Sequence, residues 1–380
     1  MSSFTATVLL LVPFLGFCNA AFIPSPVPHL ARSTHAATHS ASIPTASLTT
    51  TSGTGIPAGF EPGVKWQIEI QDPIDPRGGL QPSDAKVIDV DLFQASKDST
   101  LIPALHAAGA IVLCYFNAGA VQYTDCDWPK WQTNGLFHGK VVVNYDQEKY
   151  VDVTDETVIE LQKARIDLAH SIGCDGVDPD NIDTYELDAD ESIGKQITQK
   201  DMINFLGNLS SHAHSKTTHL GHTLMIGQKN AVEITEQVHG FMDFAISENC
   251  VGTVSAGSNR GAADEFCSTL QQYYVDKGKP VFDIEYPTSL ASSSSDKRRR
   301  DGSDNDASDE GCSAGASESD IKIYCAASSE KSKGISRILK LDNDNFGLNG
   351  CTQYCDEDTP FVMPTYESNS TNSCCFGSDC

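Results

Sequence analysis

Positive charge is scarce in this chain: 26 lysines and arginines stand against 51 aspartates and glutamates, a formal net charge of −25. Nucleic-acid binding is dominated by cation–phosphate contacts, so this balance excludes a nucleic-acid partner. Long apolar runs are scarce too. The one candidate, Val8–Phe17, is too short for a comfortable membrane span. No Gly-x-Gly-x-x-Gly follows any apolar segment, which removes the usual mark of a dinucleotide site. No Cys-x-x-Cys pair repeats, so a zinc site is not expected. The sequence therefore implies no cofactor and no metal.

The segments that are present fall into four parts. Residues 1–20 read as a signal peptide, because the apolar run ends in Cys18-Asn19-Ala20, the small-residue pattern of a signal-peptidase site. Residues 21–58 are rich in Ser, Thr, Pro and Ala without an apolar period, which reads as a disordered, glycosylated stalk. Residues 59–350 read as the folded domain, interrupted at 288–320 by a Ser- and Asp-rich stretch expected to be a disordered insertion. Its Lys297–Arg300 cluster reads as a solvated charge run more readily than as a processing site. Residues 351–380 form a Cys-rich tail. Losing Cys18 with the leader leaves 12 of 13 cysteines, and an even number in a secreted chain reads as disulfides. Cys250 and Cys267 flank one loop and helix and are candidates for a pair. Cys114 and Cys174 could instead be buried thiols.

Within the folded domain, eight short apolar runs alternate with helical stretches. The strands are read at Trp66–Ile70, Val87–Phe93, Ala110–Phe116, Asp175–Asp180, His222–Lys229, Phe241–Glu248, Pro280–Tyr286 and Ile335–Leu341. Alternation implies parallel strands, and eight of them in this length imply a (β/α)8 barrel, with an open doubly wound sheet as the alternative. Active sites of such barrels sit at the C-terminal strand ends. Polar residues gather there: Asp89 and Asp91, Asn117, Asp178 and Asp180 with Asp183 beyond, Lys229, Glu248, and Glu285 with Tyr286. The block Asp178-Pro179-Asp180-Asn181-Ile182-Asp183 is the densest. It could be an Asp-rich turn, but the convergence at the other strand ends favours a site. His212, His214, His219 and His222 straddle a helix end and a strand start, the wrong end for a metal in that site.

These strand-end motifs together resemble glycoside hydrolase family 114, the endo-α-1,4-polygalactosaminidases, over roughly Trp66 to Leu341. The matching runs are Val87-Ile88-Asp89-Val90-Asp91, Cys114-Tyr115-Phe116-Asn117, Asp175-Gly176-Val177-Asp178-Pro179-Asp180-Asn181, Gly227-Gln228-Lys229-Asn230, Ser247-Glu248-Asn249 and Phe282-Asp283-Ile284-Glu285-Tyr286. The family usually carries Ser where Asn117 stands and Leu where Gln228 stands. The resemblance implies a secreted enzyme cleaving α-1,4-linked galactosamine chains, with Asp180 and Glu248 as the catalytic pair.

The chemistry agrees, since glycoside hydrolysis needs two carboxyl groups flanking one bond. Lys229 is expected to keep one of them ionised. Asp178 would sit deeper, and Asp89, Asp91, Asp183 and Glu285 would form a negative ring for a cationic amino-sugar polysaccharide. Tyr115 and Tyr286 offer faces for sugar rings. One alternative is a non-catalytic carbohydrate-binding extracellular or wall protein on the same barrel. Another is a metal-dependent hydrolase, for which the acids suit calcium better than a transition metal.

Overall fold

The computed structural model describes residues 55–365, apart from 76, 78, 144, 252–259, 288–314, 326–332, 341–347, 349, 358 and 359. The expected signal peptide, most of the stalk, the Lys297–Arg300 cluster and the last 15 residues lie outside the described residues.

Eight parallel strands follow one another in chain order: β1 (Trp66–Glu69), β2 (Val87–Asp91), β3 (Ile111–Asn117), β7 (Gly176–Asp180), β8 (Met225–Lys229), β9 (Phe244–Glu248), β10 (Val281–Glu285) and β11 (Ile335–Lys340). This is the expected (β/α)8 barrel, with every expected strand in place. The helices α1 (Leu92–Lys97), α2 (Leu101–Ala107), α4 (Glu156–Ile172), α5 (Gln199–His214), α6 (Thr235–Val238), α7 (Arg260–Tyr273) and α8 (Glu318–Tyr324) lie between or after them. One boundary shifts. Leu92 and Phe93, read as strand, open α1 because the Asp91 side chain accepts the Gln94 N–H and caps the helix there.

Strand alternation sorts the side chains into two layers. Trp66, Ile68, Val87, Leu113, Phe244, Ile246, Phe282 and Ile284 fill the barrel interior. Residues between them, such as Ile88, Val112, Cys114, Val177 and Ile226, pack outward against the helices. Both faces are buried, so the strands read as apolar throughout rather than alternating.

Side chains join the first and last barrel strands. The Trp66 indole N–H donates to the Ser336 carbonyl at 2.8 Å, and Lys340 Nζ donates to the Ile68 carbonyl at 2.7 Å. Residues Cys351–Tyr354, placed by sequence in the tail, form a strand (β12) antiparallel to β11, and Phe361–Val362 (β13) pairs with it in turn. Tyr354 OH donates to the Trp66 carbonyl at 2.6 Å, tying β12 to β1. The end of the stretch read as an insertion is folded as well. Ser317 caps α8, and the Ala316 N–H donates to Gln353 of β12.

A second, three-stranded antiparallel sheet leaves the barrel between β3 and β7. It comprises β4 (Ala120–Gln122), β5 (Val141–Val142) and β6 (Tyr145–Tyr150), with the short helix α3 (Trp128–Asn134) between β4 and β5. Arg165 of α4, fully buried, anchors its base. It grips Asp127 through the Nε–Nη2 edge of its guanidinium at 2.7 and 2.8 Å, Asp125 at 2.9 Å and the Asn117 carbonyl at 2.7 Å. Bidentate geometry of this kind fixes position as well as charge.

Disulfides link Cys114 to Cys174, Cys250 to Cys267 and Cys325 to Cys355. The Cys250–Cys267 candidate pair is formed. Cys114 and Cys174, for which buried thiols stood as an alternative, are bonded to each other, because parallel pairing of β3 with β7 brings their Cα atoms to 6.0 Å. No described helix is long and apolar enough to cross a membrane.

Candidate active site

Three adjacent strands each end on a charged residue: β7 on Asp180, β8 on Lys229 and β9 on Glu248. Lys229 Nζ stands 3.2 Å from Asp180 Oδ1 and 3.3 Å from Glu248 Oε2. Those two oxygens are therefore no farther apart than the two contacts laid end to end. Tyr115 OH donates to Asp180 Oδ2 at 2.8 Å, and Tyr286 OH donates to Glu248 Oε1 at 2.5 Å. Each carboxylate thus has the ammonium on one oxygen and a phenol on the other.

The backbone turns sharply after each of these residues. Asn181, Asn230 and Asn249 have φ of 56°, 46° and 58°. Asparagine is one of few side chains that tolerate this left-handed region. Two of the three also serve the site. Asn230 Oδ1 accepts the Glu248 N–H at 2.8 Å, and Asn181 Nδ2 donates to Asn117 Oδ1 at 2.9 Å. The N–H groups of Ala118 and Gly119 both donate to the Asp180 carbonyl, at 2.9 and 3.0 Å. That approach requires glycine at 119, where a Cβ would fall 1.7 Å from the Asn181 carbonyl oxygen.

Burial opposes the charge on Asp180, yet Lys229 and the Tyr115 hydroxyl hold its carboxyl below the usual range. Burial also opposes the charge on Lys229. Asp180, Glu248 and Asp178 outweigh it and hold the ammonium well above its ordinary value. Lys229 was expected to favour one carboxylate; it contacts both.

Above this floor opens a cavity of about 960 Å³, lined also by Asp91, Tyr115, Asp183 and Tyr286. Burial pushes Asp91 up to about 6, and burial with the nearby Asp180 pushes Asp183 to about 6. Two residues expected in the ring, Asp89 and Glu285, do not line it, and Asp178, expected to sit deeper, lies beneath it. Asp89 and Asp178 have no exposed surface and lie under the floor, each two residues before a lining acid. Burial and then the neighbouring Asp178 raise Asp89 well above the usual range, and burial raises Asp178 to about 7. Like-charged carboxyls this close cannot both ionise, so the pair keeps a proton. Glu285 is also buried, but on the opposite face of its strand. Ile284 points into the barrel, so Glu285 points out, where it accepts the Val251 N–H at 2.6 Å and lies 4.0 Å from Arg337. It is not in the cleft.

Sequence reasoning missed the wall formed by the three-stranded sheet. Asp125, Tyr145, Asp146 and Glu148 line the cavity from that side. Asn117 Nδ2 donates to Glu148 Oε2 at 2.6 Å, and burial followed by Asp180 pushes Glu148 up to about 7. The available signal was the β-branched run Val141-Val142-Val143 meeting Asn144, a strand-and-turn pattern with no strand-end rule attached.

The histidines stand away from the cavity. His212 and His214 pair with Asp167 and Asp243, each at 2.8 Å. Among the described residues, no group of three or more His, Cys, Asp or Glu side chains could hold a metal ion. Two carboxylates, one cation and two phenols around an open cleft can donate a proton and supply a nucleophile or a base to one bond.

Eight parallel strands wound in order around an acidic cleft at their C-terminal ends define a (β/α)8 barrel of the glycoside-hydrolase kind. The chain belongs to glycoside-hydrolase family GH114, whose family model matches residues 48–360, and it is a glycoside hydrolase. Comparison with curated proteins returns no match. Among solved structures, Aspergillus fumigatus Ega3 in complex with galactosamine is 30% identical, with a TM-score of 0.57, covering 78% of this chain and 96% of that one. The glycoside hydrolase domain of PelA from Pseudomonas aeruginosa shares the fold at 12% identity and a TM-score of 0.50, covering 74% of this chain and 96% of that domain.

Proposed function

We propose that this protein is a secreted, endo-acting hydrolase of α-1,4-linked galactosamine-containing polysaccharide, with Asp180 and Glu248 as its catalytic pair. The observation that carries the reading is Lys229 set between those two carboxylates on the floor of an open acidic cleft. The cavity, about 960 Å³, is at the upper end of the range for small-molecule pockets and suits several sugar rings. The galactosamine bound to Ega3 and the scarcity of lining cations support a cationic sugar. The disulfides support an oxidising compartment and hence secretion.

The contact of both carboxylates with one ammonium favours a short separation. Retaining glycosidases hold the two carboxyls about 5–5.5 Å apart and inverting ones farther, so the anomeric configuration should be retained. Asp180, held ionised, attacks the anomeric carbon while Glu248 protonates the departing glycosidic oxygen. A covalent glycosyl–Asp180 ester forms. Glu248 then takes a proton from water, the water oxygen bonds to the anomeric carbon, and Asp180 leaves as carboxylate. Purified protein incubated with deacetylated α-1,4-galactosaminan should give a ladder of oligomers by mass spectrometry, with the first products in the α configuration by NMR. Release of single sugars from chain ends would remove the endo reading, and initial β products would reverse the stereochemical one.

A further inference from the structure

Glu148 is a carboxylate with an unfilled requirement. It lies on β6, opposite Gln122 of β4, and only 9% of its surface is exposed. One oxygen, Oε2, accepts from the Asn117 amide; among the described residues no Lys, Arg or His lies within ion-pair distance of either oxygen. Asp91, Asp146 and Asp183 also line the cleft without an ion pair among the described residues, but each is more exposed than Glu148. Asp180 and Glu248 share Lys229, Asp125 is held by Arg165, and Asp91 caps α1. Glu148 is nevertheless fixed at the centre of the site. Asn117, which positions it, is the register partner of Asp180 on the neighbouring strand. Burying a carboxylate without a counter-ion is costly, and the cost falls when a cation arrives with its ligand.

We propose that Glu148 is the specificity residue that reads the sugar's amino group, accepting the protonated 2-amine of the residue seated over Asp180. This rests on the amino-sugar reading above and names the group that enforces it. A free ammonium supplies the counter-ion that the protein withholds. An N-acetyl group supplies none and must also displace the carboxylate's solvent. The Asn117 amide holds Glu148 by Oε2 and leaves its second oxygen to the ligand.

The test is a ratio. Measure kcat/KM on fully deacetylated and on N-acetylated α-1,4-galactosaminan fragments for the intact protein and for Glu148→Gln, which keeps size and hydrogen bonding but not charge. The deacetylated substrate should lose about 10- to 100-fold, the range of a charge-assisted hydrogen bond, and the acetylated one much less, so the preference collapses. Partial misfolding lowers both rates together and leaves the ratio untouched. A wild-type preference for the free amine that survives Glu148→Gln overturns the assignment of Glu148 alone. A wild type that cleaves the acetylated polymer better, or neither polymer, overturns the amino-sugar reading and this inference with it.

Discussion

Lys229 and Lys340 each end a barrel strand, and both are almost wholly shielded from water. Their surroundings separate them. Lys229 touches two carboxylates, whereas Lys340 Nζ donates to the Gln67 amide oxygen at 2.9 Å and the Ile68 carbonyl at 2.7 Å. Burial disfavours both ammonium groups. Around Lys229 the acids reverse that effect, while Lys340 is lowered to about 7 in spite of Glu69 nearby. A buried ammonium in this barrel is thus kept charged by ionised partners, and Lys229 finds them at the cleft. At the seam between β1 and β11, Lys340 donates to neutral oxygens of Gln67 and Ile68.

The comparison breaks first at the acids that distinguish the two lysines. Asp180→Asn and Glu248→Gln should each lower turnover by about 10³-fold or more, with far-UV circular dichroism unchanged. Activity near that of the intact protein in either variant removes that residue from the pair. Next come the lysines themselves. Lys229→Met leaves two facing carboxylates without their shared cation, and kcat/KM should fall about 10²-fold. The acid limb of its pH profile should move to higher pH, because Asp180 loses the neighbour that holds its carboxyl low. Lys340→Met should stay within a few-fold of normal activity where the variant is folded, since Lys340 donates to Gln67 and Ile68 at the seam and does not line the cleft. Equal losses in the two variants would mean that the seam lysine also serves the chemistry.

Much of this was legible in the sequence, and the reasons differ by residue. The strand-end rule located Asp180, Lys229 and Glu248 because each closes an apolar run and then meets an asparagine. It failed for Glu285 because both faces of β10 are buried, so composition does not say which face looks inward. Counting back from Tyr286 would have placed Ile284 inside and Glu285 outside. Asp89 belongs to the expected ring but lies one inward step below the mouth, level with Asp178, because each stands two residues before the acid that lines the cavity. Glu148 and Tyr145 could not be found by a rule about barrel strands, since they belong to a sheet that leaves the barrel.

The three asparagines give a smaller test of the same floor. At Asn249, φ is 58°, and its side-chain oxygen has no hydrogen-bond partner to support the turn. Asn249→Ala should cost about 1 kcal/mol, because alanine in the left-handed region is strained, whereas Asn249→Gly should be near neutral. Chemical denaturation of the two variants measures the difference, and an alanine variant as stable as the glycine one would mean the backbone there relaxes freely.

Glu69 sharpens the contrast at the seam. Burial raises its carboxyl to about 8 even with Lys340 close by, and the Asp72 N–H donates to it at 3.1 Å. A carboxyl that titrates higher in the folded chain than in the unfolded one, near 4.5, keeps its proton on folding between those values. Stability from this group is therefore complete below about pH 4.5 and is lost as pH rises toward 8. Glu69→Gln holds a neutral hydrogen-bonding group at every pH and cannot suffer that loss. The variant and the intact protein should melt at similar temperatures at about pH 5, with the variant gaining several degrees relative to the intact protein by about pH 8. Differential scanning calorimetry across that window reads the gap directly. A gap that stays constant would mean Glu69 is already ionised against a charged Lys340. The seam would then hold a true ion pair, and the distinction between the two lysines would be one of partner number rather than of charge.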